Sequence, residues 1–157
     1  MYHLAVPVAL QALTQARHLA GMASADLMAT RLHPGMSDLA GQFRTVASFA
    51  QRSTFPLTTK TSPPLAQNGT LAALEAAETA VRDLSEADFD GAETRRIAHR
   101  AGEAELDQSA MDYLLHFAQP NLWFHLSIAY AIMRAADQAI GKADFDGLHH
   151  YPAGFSF

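Results

Sequence analysis

The sequence contains no cysteine. This absence excludes disulfide bonds, thiolate metal sites and a cysteine nucleophile, and it leaves the redox compartment open. Clusters of lysine and arginine are also absent, and the formal net charge at pH 7 is -5. We therefore expect no nucleic-acid partner and no attraction to an anionic membrane surface.

Long apolar runs are missing as well. No segment approaches the roughly 20 continuous apolar residues that a membrane-spanning helix needs. The N-terminal stretch MYHLAVPVALQALTQA has no basic region, and Pro7, Gln11 and Gln15 interrupt its apolar residues. We therefore expect this stretch to belong to the fold rather than to a signal peptide, and we expect a cytoplasmic protein.

The composition is that of an ordinary globular protein. The chain has 157 residues, of which 49% are hydrophobic and 17% are charged. These values predict a single domain over residues 1–157 with a core of its own. Phosphate loops, dinucleotide fingerprints and the G-x-S-x-G and H-E-x-x-H motifs do not occur, so no short motif indicates a common catalytic class.

Apolar residues recur with helical spacing in four stretches, at about residues 3–23, 38–52, 70–84 and 109–136. A long proline-rich connection at 54–69 joins the second and third predicted helices. A charged segment at 86–108 precedes the last helix. Within that segment, the run RRIAHRAGEAELD is compatible with a short hairpin around Ala101 and Gly102. The predicted fold class is all-α, a four-helix bundle with a long connection between helices 3 and 4.

The pentapeptide ADFDG occurs twice, at 87–91 and at 143–147. Its Asp-x-Asp-Gly pattern resembles the start of a calcium-binding loop, but such a loop ends in a bidentate glutamate. Counted from Asp88, that position is occupied by His99. The interpretation that we favour is a turn that follows a helix, built from Asp-Gly chemistry and anchored by an inward phenylalanine.

The polar residues of the stretch HFAQPNLWFH need an explanation, because they lie in the most apolar helix. At 100° per residue, Asn121 and His125 share the predicted core side with Phe117 and Phe124, whereas His116 points almost the opposite way. The two histidines therefore cannot hold one metal ion together. Asn121 and His125 are spaced like a helical ligand pair, or they are buried polar groups that bond each other, backbone carbonyls or a water molecule. In the second case, His125→Leu is predicted to be tolerated.

The other side of this helix carries His116, Trp123, Tyr130 and Arg134. A bundle helix normally presents lysine, glutamate and glutamine there, whereas tryptophan, tyrosine and arginine are enriched at protein interfaces. We therefore predict a homodimer through this surface. The alternative is that the connection at 85–108 or the C-terminal tail folds over it.

Four stretches together resemble a known family: VPVALQALTQ, DLAGQFRTVASFA, FDGAE, and YLLHFAQPNLWFHLSIAYAIMR followed by GKADFDG. They extend over nearly the whole chain. Through them the sequence resembles an uncharacterised family, a domain of unknown function, in the DinB/YfiT-like superfamily. The resemblance implies a DinB-like four-helix bundle.

The wider superfamily is similar to thiol-dependent transferases and hydrolases that hold a divalent metal with three histidines. One histidine comes from the second helix and two, as His-x-x-x-His, come from the fourth. Asn121 and His125 match that pair with its first histidine replaced, and Gln42 and Thr45 are the nearest polar residues of the second helix, which has no histidine. These residues are weak ligands for zinc or nickel, so we expect no cofactor.

The resemblance implies that a cavity remains between the helices where the superfamily holds its metal. We expect a central pocket that binds a small molecule and has lost the three-histidine metal site, lined by Gln42, Thr45, Phe117, Asn121, Phe124 and His125. The alternative function is a divergent metal-dependent thiol transferase or hydrolase in which Gln42, Asn121 and His125 hold zinc or nickel.

Overall fold

The structure, a computed structural model, describes residues 1–152 of the chain. The last residues of the predicted C-terminal tail, 153–157, lie outside this described part. The labelled helices are α1 (Tyr2–Met22), α2 (Leu39–Arg52), α3 (Thr70–Arg82), α4 (Gln119–Ala135) and α5 (Lys142–Asp146). Shorter helical segments are Ala25–Met28, Phe55–Leu57, Glu86–Phe89, Ala92–Thr94, Ala110–Asp112 and the π-helical Tyr113–Ala118.

The four longest helices pack around a common core. Helices α1 and α2 each contact the other three, so most of the apolar side chains lie between them. One side of α1 carries five buried alanines, and small side chains let neighbouring helices approach closely. The alanines are Ala5, Ala9, Ala12, Ala16 and Ala20. The largest fully buried side chains include Leu13, Leu19, Phe43, Leu74, Leu114, Leu122, Leu126 and Met133.

A two-stranded antiparallel hairpin interrupts the helical architecture. Strand β1 (Arg96–Ala101) pairs with β2 (Ala104–Ser109), and Ala101 faces Ala104 at the closed end. Gly102 begins the turn with a φ of 61°, which a glycine adopts at little cost. The prediction of a mostly helical chain is confirmed, and so is the hairpin, but the all-α description was wrong because this segment forms a sheet.

The start of the fourth predicted helix is not regular. A π-helical segment, Tyr113–Ala118, comes directly before Pro120. Proline has no N–H to donate to the carbonyl four residues earlier, and a wider turn is one way in which a helix accommodates that loss. The predicted core side was correct only in part: α4 buries Leu122, Leu126 and Ala129, His125 is half-buried, and 53% of Phe124 is exposed. Because apolar residues occur on most sides of this helix, periodicity alone could not identify the buried one.

Both copies of ADFDG form the same local structure. Asp88 accepts a hydrogen bond from the backbone N–H of Ser85, and Asp144 accepts one from Gly141, so each aspartate caps a short helix. Each copy ends at a glycine in the left-handed region, with φ of 73° at Gly91 and 69° at Gly147. Each copy is thus part of a short helix that ends at the glycine, rather than the predicted turn after a helix, and Phe89 is a buried anchor.

None of the helices within residues 1–152 combines the length and the apolar character that a membrane-spanning helix requires.

Glu78 is a buried carboxylate where α1 and α3 meet. Arg17 Nη1 donates to its Oε2 at 2.6 Å, and Arg82 Nη2 donates to its Oε1 at 2.7 Å. Burial by itself raises the pKa of this carboxyl, but the two guanidinium hydrogen bonds outweigh it, and the net pKa lies below the ordinary value. The carboxylate is therefore ionised at neutral pH and ties α1 to α3.

We predict that Glu78→Gln lowers the free energy of unfolding at neutral pH by about 1–3 kcal/mol, because two charge-assisted hydrogen bonds weaken and both arginines are partly exposed. Since the pKa in the folded state is lowered, this stabilisation is complete above the ordinary glutamate pKa and is lost as the pH falls through the folded value. Urea unfolding at neutral pH and at acidic pH measures both effects. Glu75→Gln removes only an exposed partner of Arg17 and is the matched control, with an expected loss below about 1 kcal/mol. Equal losses in the two variants would contradict the role of Glu78.

Candidate functional site

A polar pair lies inside the contact between α2 and α4. Asp38 caps α2 by accepting a hydrogen bond from Gly41 at 2.8 Å, which places Gln42 in the first turn. Gln42 is only 3% exposed, and its Oε1 lies 2.8 Å from Nδ1 of His125 on α4. Its Nε2 donates to the carbonyl of Ser37 at 3.2 Å, so both ends of the buried amide are satisfied.

The partner of His125 determines which of its nitrogens carries the proton. An amide Oε1 only accepts, so the hydrogen bond assigns the proton to Nδ1 and leaves the lone pair on Nε2. Burial lowers the pKa of His125, which keeps the imidazole neutral at neutral pH. A neutral imidazole with a free Nε2 lone pair can accept a hydrogen bond from a ligand.

Aromatic rings and one cation surround this pair. Phe49 of α2 stacks on the His125 ring with centroids 5.7 Å apart, and Phe124 meets it edge-on at 5.1 Å. Phe117 packs against Phe49 at 5.8 Å. The guanidinium carbon of Arg52 lies 4.6 Å from the centroid of Phe49 and 5.0 Å from that of Phe117, which are cation–π distances. We call Phe49, Arg52, Phe117, Phe124 and His125 the aromatic cluster.

The hairpin adds a histidine to the edge of the aromatic cluster. The ring of His99 lies 4.2 Å from Phe117 and 4.9 Å from Tyr113, and its Nε2 lies 2.7 Å from Oε1 of Gln108. Its Nδ1 is buried without a hydrogen-bond partner in the described residues. Sequence analysis assigned His99 no role here. The available signal was the alternation along β1, because Ile97, His99 and Ala101 share its less exposed side.

Tyr113 connects this edge to the end of α2. Its hydroxyl donates to the backbone carbonyl of Arg52 at 3.0 Å. Burial raises the pKa of the Tyr113 hydroxyl, and the charge of the Arg52 guanidinium together with its hydrogen bond to Tyr113 opposes part of that rise. The hydroxyl therefore stays protonated at neutral pH and remains a donor.

The other predicted pocket residues have different positions. Asn121 donates through Nδ2 to the carbonyl of Phe117 at 2.7 Å, and Thr45 donates to the carbonyl of Gly41 at 2.8 Å. Both side chains thus bond their own helices. The structure brings Gln42, Phe117 and His125 into one cluster, with Phe124 on its exposed margin.

Two of the four predicted interface residues, Trp123 and Tyr130, are partly covered by the C-terminal part of the same chain. Phe145 of α5 contacts Trp123 and Tyr130, with centroid distances of 6.0 and 5.7 Å. Arg134 donates to the carbonyls of Gln138 and Ile140. The side chain of His116, in contrast, is 70% exposed and lies 3.5 Å from Asp112. The C-terminal part of the chain thus folds over this surface, as the alternative to the homodimer predicted. The homodimer itself stays a prediction.

A family model described as a domain of unknown function (DUF1993) matches residues 1–146. The chain belongs to this family. Among solved structures, this DUF1993 chain is similar to a DinB family member from Shewanella denitrificans, with 25% sequence identity and a TM-score of 0.82. That similarity covers 97% of this chain and 94% of the other. The comparison with curated proteins finds no match. The resemblance to an uncharacterised DinB-like family is therefore confirmed.

The bond between Gln42 and His125 changes the expectation for His125→Leu. This variant leaves the buried Oε1 of Gln42 without a donor, so we predict a loss of about 1–3 kcal/mol in the free energy of unfolding rather than tolerance. Gln42→Leu/His125→Leu removes both partners and is expected to recover part of that loss, with a coupling of about 0.5–3 kcal/mol. Urea unfolding of the wild type, both single variants and the double variant measures it.

The control for this cycle is Thr45→Val, because Thr45 lies on the same helix but bonds only Gly41. Combined with His125→Leu, it is expected to be additive within about 0.5 kcal/mol. Strict additivity of Gln42→Leu and His125→Leu would show that the two side chains do not interact.

We also predict a pH dependence from His125. Because its pKa in the folded state is lowered by burial, the unfolded chain binds a proton below about pH 6.5 that the folded protein does not bind. The free energy of unfolding is therefore unaffected by His125 titration above this pH, and it decreases as the pH falls toward the pKa of His125 in the folded state. Urea unfolding of the wild type between neutral and mildly acidic pH should show a steeper loss than unfolding of His125→Leu does. Parallel pH profiles would contradict this prediction.

Proposed function

We propose that this DUF1993 protein is a DinB-like four-helix-bundle protein that binds a small organic molecule at the aromatic cluster between α2 and α4 and holds no resident metal. The observation that carries the proposal is the 2.8 Å hydrogen bond between Gln42 and His125. By the resemblance, His125 matches a metal-binding histidine of the wider superfamily, and Gln42 is one of the nearest polar residues of the helix that supplies another. In this protein, the Gln42 amide and the neutral His125 imidazole form a hydrogen bond with each other instead.

The surroundings of His125 support ligand binding. Small-molecule sites combine aromatic walls with a few oriented polar groups. The rings of Phe49, Phe117 and Phe124 supply the apolar part, and Nε2 of His125 supplies an acceptor. The exposed fraction of Phe124, 53%, leaves an apolar ring accessible at the margin of the cluster.

The donor chemistry supports the absence of a resident metal. Oε1 of Gln42 is directed at Nδ1 of His125, and Asn121 is bonded to its own helix. Residues 1–152 contain no group of three or more histidine, cysteine, aspartate or glutamate side chains placed to hold an ion. Amide oxygens with a single imidazole are a poor set for zinc or nickel. We therefore do not propose the metal-dependent transferase or hydrolase.

We predict that indole and benzamide, used as neutral aromatic probes, bind at millimolar concentration and shift the backbone amide resonances of α4 near His125. Phe124→Ala should weaken this binding by about threefold to tenfold, because it removes an aromatic contact of the probe. Two-dimensional NMR titration of the full chain measures both effects. Leu148→Ala removes an exposed apolar side chain elsewhere and is the control, with unchanged binding expected.

Two results would contradict the proposal. One is binding that is unaffected by Phe124→Ala or that shifts only resonances distant from α4. The other is zinc or nickel bound in equimolar amount by protein purified without metal resins, and released in Gln42→Leu/His125→Leu, which would favour the metal-dependent alternative.

A further inference from the structure

A cavity of about 310 Å³ opens where α2 ends and the following connection begins. Its polar lining comes from Gln51, Arg52, Thr58, Lys60 and Ser62, with Phe55 and Pro56 completing the wall. Arg52 belongs both to this cavity and to the aromatic cluster. The cavity is therefore next to the proposed binding site.

Arg52 differs from the other arginines in its partners. Among the arginines of residues 1–152, Arg52 alone has a guanidinium that contacts neither a carboxylate nor a backbone carbonyl. The other eight each contact such a group: Arg17, Arg31, Arg44, Arg82, Arg95, Arg96, Arg100 and Arg134. The faces of Phe49 and Phe117 hold Arg52 by cation–π contacts, and its guanidinium also bonds the Tyr113 hydroxyl. A guanidinium has five N–H donors, so most of them remain available.

A second donor at the same cavity also has no acceptor. Gln51 is 6% exposed, and its Nε2 is buried without a hydrogen-bond partner in the described part of the chain. A buried donor without an acceptor is uncommon in folded proteins, and it indicates that an acceptor belongs nearby. Gln51 and Arg52 both line this cavity, so their donors border the same space.

Two other polar residues of the cavity, Lys60 and Thr58, already have partners. Lys60 forms an ion pair with Asp88 at 2.8 Å, which neutralises its charge. The hydroxyl of Thr58 donates to the carbonyl of Phe55 and accepts from the backbone N–H of Lys60. The buried lining atom without a partner is therefore a donor, Nε2 of Gln51, and the cation without an ionic partner is Arg52.

We propose that the ligand of this protein carries a small oxyanion, a carboxylate or a phosphate, which the guanidinium of Arg52 and the side-chain amide of Gln51 bind in this cavity. The inference rests on the proposed function, because it names the chemical class of the molecule that the aromatic cluster takes. Arg52 provides a planar pair of donors that matches an oxyanion, and charge-assisted hydrogen bonds of this kind are the strong ones. An aromatic or apolar part of the same molecule then contacts the rings around His125.

The test compares benzoate with its neutral analogue benzamide, and adds inorganic phosphate as a third probe, by calorimetric titration of the full chain. We expect benzoate or phosphate to bind, and benzoate to bind about tenfold more tightly than benzamide, since a hydrogen bond to a charged group is worth at least that factor. Arg52→Gln should abolish this preference. Arg100→Gln, which removes an arginine on the hairpin, is the matched control and should retain it.

Gln51→Met is a second variant that tests the site even if Arg52→Gln fails to fold. It removes the unpartnered N–H at nearly constant volume, so the urea midpoint should stay the same or rise while oxyanion binding weakens about threefold or more. Binding of the oxyanions that survives both variants, or that is lost in Arg100→Gln, would overturn the inference. So would the absence of any oxyanion binding at millimolar concentration.

The comparison also separates the two proposals. Equal binding of benzoate and benzamide, both sensitive to Phe124→Ala, would overturn the oxyanion inference and leave small-molecule binding supported. Arg52-dependent binding of phosphate without any binding of the aromatic probes would support the oxyanion site and contradict the aromatic cluster. Benzoate binding without phosphate binding would assign the site to carboxylates.

Discussion

The contact between α2 and α4 contains a buried amide and a half-buried imidazole, and the candidate site depends on the requirement that both be hydrogen-bonded. A buried polar group without a partner costs about 1–3 kcal/mol, so the two helices are held in the register that joins Gln42 to His125. That register stacks Phe49 on His125 and places Arg52 against the rings of Phe49 and Phe117. The same hydrogen bond fixes the proton on Nδ1 and the lone pair on Nε2.

Helix α4 and the π-helical segment before it are apolar on most sides. Two of these sides are covered by neighbouring parts of the chain. The hairpin places His99 on Phe117 and Tyr113, and α5 places Phe145 on Trp123 and Tyr130. Both covering elements come from segments that precede or follow α4 directly in the chain. A sheet of only two strands is marginally stable alone, so packing on the helices is what stabilises this hairpin.

These constraints give the site a consistent chemistry. Burial keeps His125 neutral, and Arg52 is held by cation–π contacts and by Tyr113 without an anionic partner. An acceptor, several rings and an available cation suit recognition of an organic molecule better than activation of water by a metal. Membership of the DUF1993 family and similarity to a DinB family member establish the fold family, whereas function depends on these side chains.

The sequence by itself determined the helical stretches and the hairpin at Gly102, because periodicity and turn chemistry depend on residues only a few positions apart. It also determined the DinB-like family through motifs spread along the chain. Only the tertiary structure decided which side of α4 is buried, that Gln42 bonds His125 across 83 residues, and that Arg52 is left without an anionic partner. Those outcomes depend on contacts between segments distant in sequence, and a helix that is apolar on most sides carries no local signal that selects among them.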